Sequence, residues 1–134
     1  MRILRGKKQR RAAAVVEMAI VTPILLTMVM GVIEFGWLMS VRNALVQVAR
    51  EGTRTGSLAG TTQADMVDKA KDVLEPWGLV EKVTIVATEA TEENPEVSVQ
   101  VSVPKASVSL VGNFFSCFGS GTMTATCSMR KEGT

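Results

Sequence analysis

A run of apolar residues near the start of the sequence limits what this chain can fold into. Residues Ala12 to Ile33 form a stretch of 22 residues that is interrupted only by Glu17 and by the hydroxyls of Thr22 and Thr27. About 20 helical residues are enough to cross a hydrocarbon core of about 30 Å. The run therefore predicts a helix that spans a membrane once.

The carboxylate of Glu17 lies in the first third of this run. An ionised carboxylate in lipid costs about 2–3 kcal/mol or more, so chains seldom keep one without a partner. Two explanations stay open. Glu17 can reach back to the headgroups, because Arg11 is only about 9 Å away along the helix. Alternatively, it can pair with a positive group and set the axial register of packed helices.

The charges of the chain are distributed unevenly. The first 11 residues hold six cations and no acid, whereas the remainder holds nine cations and 13 acids, a net charge of −4. A basic segment before the first apolar run stays in the cytoplasm and the chain after it is exported. We therefore expect a membrane protein with a cytoplasmic N-terminus and an exported C-terminal part. Because the basic run adjoins a membrane segment, we expect no nucleic acid as partner.

Helical periodicity continues beyond the membrane segment. After Trp37, which suits the outer membrane interface, the apolar residues recur at helical spacing. They are Val41, Ala44, Leu45, Val48 and Ala49. One helix is expected from about Ala13 to about Thr55, with a kink or softened turn at Pro23. Gly52, Gly56 and Gly60 are expected to fray and end it. The run is too long for a cleaved secretory signal and lacks a small-x-small site, so we expect the helix to be retained.

A short helix and several strands follow. Residues 61–74 carry an apolar stripe, with Thr62 and Asp65 approximating a capping box. The apolar period then changes to two, as in Val97, Val99, Val101 and Val103, in three segments. Pro104 should interrupt a ladder and leave residues 107–111 as a bent or edge continuation. These patterns predict an α+β fold in which the outer half of the long helix packs on a three- or four-stranded antiparallel sheet.

The domain organisation follows from these elements. Residues 1–12 are a basic cytoplasmic leader, residues 13–40 the transmembrane helix, and residues 41–134 an extracytoplasmic α+β domain. The chain has no histidine, which removes the commonest general base and metal ligand. Without histidine no Ser-His-Asp arrangement is available, and no Ser-x-x-Lys pattern replaces it. We therefore expect a structural protein, with no enzymatic activity, metal or cofactor.

The only two cysteines are Cys117 and Cys127. Outside the cytoplasm, an even number of cysteines favours a disulfide, which would close a short ring. The alternative is two reduced thiols packed as small apolar groups.

Three segments of the sequence resemble a known family. RRAAAVVEMAIVTPILL, GVIEFGWLMSVRNALVQVAREGTR and the closing TATCSMRKE are similar to the TadE-like pseudopilins of bacterial Tad (Flp-type) pilus systems, which are relatives of type IV pilins. The resemblance is strongest over residues 10–56. It implies a pilin-like fold and a minor structural subunit of the bacterial inner membrane, with a periplasmic or extracellular domain, that primes pilus assembly or sits at the tip or base.

The resemblance also implies processing and partners. A prepilin peptidase would cut between Ala12 and Ala13 and leave Glu17 fifth from the new N-terminus. This sequence has Ala12 where the family usually has glycine, and Met18 where it usually has an aromatic residue. The new amine would lie one helical turn from Glu17 and could pair with it, on the same helix or on a neighbour. Glu34, in IEFG, matches the family and lies near the outer boundary, where water or headgroups would solvate it; it could also contact a neighbouring subunit. The implied partners are the peptidase, other pilins or pseudopilins in a homo- or hetero-oligomer, and the pilus assembly platform.

One other function fits the same residues. An unprocessed single-pass envelope protein could use its β-domain to bind a secreted partner, without forming a filament.

Overall fold

A computed structural model describes residues 3–91, 94–112 and 121–132, with the backbone alone for residues 3–11. The chain forms two compact units, Met1–Phe35 and Gly36–Thr134. The elements in chain order are α1 (Ile3–Ser57), α2 (Gln63–Leu74), two 3₁₀ turns (Glu75–Trp77 and Val80–Lys82), β1 (Thr84–Thr88), β2 (Glu96–Pro104), α3 (Lys105–Val108) and β3 (Thr122–Arg130). This arrangement confirms the predicted α+β class.

Helix α1 is longer at both ends than the predicted helix and runs through Pro23 without a break. Its outer half supplies one side of the core. The predicted apolar stripe is confirmed, because all five of its residues are at most 1 % exposed: Val41, Ala44, Leu45, Val48 and Ala49. Four of them, all except Ala44, pack in one cluster with the valines of β2. Burial of this face explains why the helix continues beyond the apolar run, since neither the helix nor the sheet can cover its apolar side alone.

The expectation that Gly52 and Gly56 fray the helix is wrong. Both lie inside α1 and are buried. A Cβ atom on Gly56 would lie 2.7 Å from a Val97 methyl carbon and 2.8 Å from Cγ of Met66. A Cβ atom on Gly52 would lie 3.3 Å from the Met66 carbonyl oxygen. These glycines therefore let α1 approach α2 and the sheet closely, and the helix ends after them.

The predicted start of α2 is confirmed. Thr62 is the N-cap, and its backbone N–H donates to the Asp65 carboxylate at 2.8 Å while the Asp65 N–H donates back to the Thr62 hydroxyl. The hydrogen bonds from the Thr62 backbone and side chain hold the pKa of Asp65 below its usual value. Within α2, Met66, Ala70 and Leu74 are buried as the pattern predicted. The Gln63 side-chain amide donates to the Ala87 carbonyl at 2.6 Å, which places the start of α2 against β1.

The sheet has three strands in the order β1-β2-β3, and both pairings are antiparallel. Strand β2 alternates as predicted, with Val97, Val99, Val101 and Val103 buried at 0–1 % exposure. Its register places Val99 between Ala87 of β1 and Cys127 of β3. The opposite face is polar and rich in hydroxyl side chains, and thus one face is covered by helices while the other meets solvent.

The segment after Pro104 differs from the prediction. Pro104 is still paired, with Thr122, and the chain then turns into α3, whereas a continued strand was expected. The backbone N–H of Lys105 donates to the Gly121 carbonyl at 2.9 Å, so the turn begins directly at the end of the ladder. Val108 is buried at 5 % exposure and anchors this turn in the core. Proline ended the strand as its missing N–H requires, but the direction of the following chain is set by the burial of Val108.

A buried hydroxyl joins α1 to the edge strand β3. Thr53 is 0 % exposed, and its Oγ1 lies 2.6 Å from the Ala49 carbonyl oxygen and 3.1 Å from the Cys127 carbonyl oxygen. At the end of the helix, the Glu132 backbone N–H donates to the Ser57 carbonyl at 2.8 Å. These contacts fix the outer half of α1 along β3.

Candidate functional site

Residues 12–33 of the first unit form an apolar helix surface that is exposed almost throughout. All residues from 12 to 33 except the half-buried Gly31 are exposed. The large apolar side chains are 38–68 % exposed, from Val21 at the lower end to Val15 and Met28 at the upper end. A helix that is apolar all round is typical of one buried in a membrane or in an assembly. Among the described residues, Ala12–Ser57 is the one helix long and apolar enough to cross a membrane, which indicates membrane anchoring.

The two hydroxyls within this surface are satisfied by the helix itself. Thr22 donates to the Met18 carbonyl at 2.6 Å, and Thr27 donates to the Pro23 carbonyl at 2.7 Å. Such bonds to the preceding turn lower the cost of placing a hydroxyl in lipid. Neither threonine hydroxyl therefore needs a hydrogen-bond acceptor from outside the helix.

Glu17 is different from the threonines. It is exposed, and no described side chain forms a hydrogen bond or an ion pair with it. If lipid or protein surrounds this part of α1, an ionised carboxylate on it needs water, a headgroup or a cation as a partner. It is thus the one residue of the apolar surface whose chemistry calls for a group from outside the described contacts.

The predicted processing point, Ala12–Ala13, lies within α1. Both alanines are exposed and helical, and α1 begins nine residues earlier, at Ile3. Ala13 is one helical turn before Glu17, about 6 Å along the axis, so an amine created there would be within reach of the carboxylate.

Glu34 does not lie open to water or headgroups, and that expectation is wrong. Only 6 % of its surface is exposed. By helical spacing it falls on the same face of α1 as Val41 and Leu45, seven and eleven residues later. Its assignment to subunit contacts stays a prediction.

Trp37, near the start of the second unit, is hydrogen-bonded to the segment that follows β2. Its indole Nε1–H donates to the Val108 carbonyl at 2.7 Å, and the ring is half-buried. The sequence indicated an aromatic residue at a membrane interface, but no local pattern could indicate this bond across 71 residues. The bond fixes the turn that contains α3 against α1 at the start of the second unit.

The cysteine prediction is not tested. Cys127 lies in β3 and is half-buried, whereas Cys117 lies outside the described residues. The disulfide therefore stays a prediction. The described residues also contain no group of three or more His, Cys, Asp or Glu side chains that could hold a metal ion.

Comparison with known proteins gives one family match, and this match includes the exposed part of α1. Residues 12–54 match the family model described as TadE-like protein. The match covers 43 of the 134 residues and confirms the TadE-like resemblance over that segment. It begins at the predicted processing point and ends between the two packed glycines of α1. No curated protein and no solved structure matches the chain. The family relates the chain, at a coarse level, to Tad pilus systems and to pilus-related partners.

Proposed function

We propose that this protein is a minor pilin-like structural subunit that takes part in the assembly of a Tad-type pilus. It is made as an inner-membrane precursor with a cytoplasmic N-terminus and is trimmed by a prepilin peptidase between Ala12 and Ala13. The observation that carries the proposal is the coincidence of the TadE-like match, residues 12–54, with an exposed apolar helix that contains one carboxylate without a partner among the described side chains.

The physical role of the cut is to supply a cation for Glu17. Cleavage removes the six cations of the leader and leaves an amine on Ala13, one helical turn from the carboxylate. Within a bundle of such helices, the amine of one subunit can pair with the carboxylate of a neighbour. Any other stagger leaves a charge unpaired in lipid or protein, so the pair selects one axial register. The cost of an isolated charge in lipid is the source of that selectivity.

Intact mass of the membrane protein co-expressed with the peptidase tests the processing step. We expect the mass of a chain that begins at Ala13, and a product that retains Met1 to Arg11 contradicts the proposal. Gly6 is the only glycine upstream of the apolar run, and Gly6→Ala is therefore the matched control, which should leave the cut unchanged. Ala12→Ile, which adds bulk directly before the cut, should block it.

Substitution of Glu17 distinguishes this function from that of a permanently anchored envelope protein. Glu17→Ala should insert into the membrane normally and fail to support pili in a strain that lacks the native copy. Met18→Ala is the matched control, since Met18 is the adjacent exposed residue, at 62 %, and carries no charge. An anchored envelope protein predicts normal insertion and normal activity for both variants. Pili formed equally well with Glu17→Ala would therefore overturn the assembly role.

A further inference from the structure

The solvent side of the outer half of α1 carries an arginine strip, defined as Arg42, Arg50 and Arg54. All three side chains are exposed, and at 100° per residue they lie within about 120° of helix surface and span about 18 Å. Within the described residues, none of the three guanidinium groups has a hydrogen bond or an ion pair. The one acid among the residues between them, Glu51, is half-buried. The strip is thus a positive surface on a segment, residues 12–134, whose other charges are six cations and 13 acids.

Helix α2 and the turn after it carry an acidic strip, defined as Asp65, Asp68, Asp72 and Glu75. Their spacing of three, four and three residues places them on one helix face, over about 15 Å. All four are exposed. Lys71 pairs with Asp68 at 3.6 Å, and Asp65 belongs to the capping box. Asp72 and Glu75 have no hydrogen bond or ion pair from a described side chain.

The two strips do not neutralise each other within one chain. Helices α1 and α2 contact through their apolar sides, where Met66 packs against Gly52 and Gly56. Their charged sides therefore face solvent on different helices, and no ion pair joins them. Two surfaces of opposite charge and similar length on one molecule fit each other only between copies.

We propose that the arginine strip of one copy docks on the acidic strip of a second copy of this chain. The contact uses two different surfaces, so it is heterologous and leaves one free surface of each kind at the ends. Repetition of such a contact builds an open filament unless the rotation closes a ring. This inference rests on the proposed function and names the partner and the two surfaces of the outer domain. Charge pairs at such a contact set register and choice of partner more than affinity, while the apolar helices supply the buried area.

Exchange of charge between the strips tests the contact in the full-length chain, purified in mild detergent and measured by sedimentation at 50 and 500 mM salt. Arg50→Glu with Arg54→Glu reverses two of the three charges of the arginine strip, and Asp72→Lys with Glu75→Lys reverses two of the four charges of the acidic strip. Each double variant alone should associate at least about tenfold more weakly than the native chain at low salt, because like charges then face each other. An equimolar mixture of the two should recover association, since every contact in it again joins opposite charges.

Matched controls change the same number of exposed charges elsewhere. Lys82→Glu with Arg130→Glu and Glu81→Lys with Glu96→Lys should associate as the native chain does. The native association should weaken at 500 mM salt, at which exposed charge pairs are screened. Circular dichroism confirms that each variant is folded.

The results that overturn the contact differ from those that overturn the proposed function. A native chain that stays monomeric, strip variants that associate normally, or a mixture that fails to recover association each overturn the contact. Loss of association with Glu17→Ala alone, with both strip variants unaffected, also overturns it and leaves the proposed function intact. An untrimmed native chain contradicts the proposed function, whereas recovery in the mixture still supports the contact.

Discussion

Replacement of Gly56 by alanine tests whether the close approach of α1 to the rest of the outer unit depends on that glycine. An added Cβ atom would lie 2.7 Å from a Val97 methyl carbon and closer still to the Met66 sulfur. Val97 is β-branched and 1 % exposed, and Met66 is also 1 % exposed, so neither side chain can swing into solvent. Overpacking of this kind costs about 1–3 kcal/mol, and the better helix propensity of alanine returns about 1 kcal/mol. We expect a net loss of up to about 2 kcal/mol in the free energy of unfolding.

Two other glycines of α1 provide a graded control. A Cβ atom on Gly52 would lie 3.3–3.4 Å from its nearest neighbours, and one on Gly36 would have no heavy atom within 4 Å. Gly52→Ala should therefore be close to neutral, because a slight crowding offsets the gain in helix propensity. Gly36→Ala should stabilise the helix by about 0.5–1 kcal/mol. Urea unfolding of the full-length chain in detergent, followed by tryptophan fluorescence, ranks the three variants.

A double-variant cycle isolates the cause. Met66→Ala alone should cost about 2–5 kcal/mol, as for other buried large-to-small changes. Combined with Gly56→Ala, it should cost less than the sum of the two, because the shortened side chain makes room for the new methyl group. If Gly56→Ala is as stable as Gly36→Ala, or if the two costs at positions 56 and 66 simply add, the close-packing explanation is refuted.

Three further predictions concern hydrogen bonds of the outer unit. Thr53→Val should lower the free energy of unfolding by about 1–3 kcal/mol, because it leaves the Cys127 carbonyl without its hydroxyl donor; Thr53→Ser should retain most of that stability in urea unfolding. Thr62→Ala should cost about 1 kcal/mol through loss of the N-cap, and Thr62→Ser should not; equal melting of the two variants would contradict the capping role. The lowered pKa of Asp65 means that its stabilising effect is complete above the unfolded pKa, about 3.9, and disappears as the pH falls through the lower folded pKa. Acid titration of the native chain should therefore show a loss of stability below about pH 4 that is smaller in Asp65→Asn.

Several features of this protein can be predicted from local sequence patterns. The apolar run, the stripe of Val41 and Leu45, the capping box at Thr62 and the alternation of β2 each depend on spacing along one element. Spacing determines which side chains share a face, and burial of apolar faces against each other is the main driving force of folding. The membrane-anchoring helix, the α+β class and the antiparallel sheet followed from these patterns.

Other features depend on which distant residues meet. Glycines such as Gly52 and Gly56 are typical of the end of a helix. Only the positions of Met66 and the sheet show that they are sites of close packing. The carbonyl of Val108 and the indole of Trp37 are 71 residues apart, and a single sequence contains no pattern that pairs them. Glu34 follows the apolar run, at a position where a solvated residue is expected, but it is buried.

The sequence alone determined which faces are apolar, where the membrane helix lies and where the lone carboxylate stands within it, because these properties belong to single elements. The tertiary structure decided how closely α1 packs on α2 and the sheet, where the chain turns after β2, and that the arginine and acidic strips remain separate on one molecule. Those features depend on contacts between elements, whose energies arise from atoms far apart in the chain.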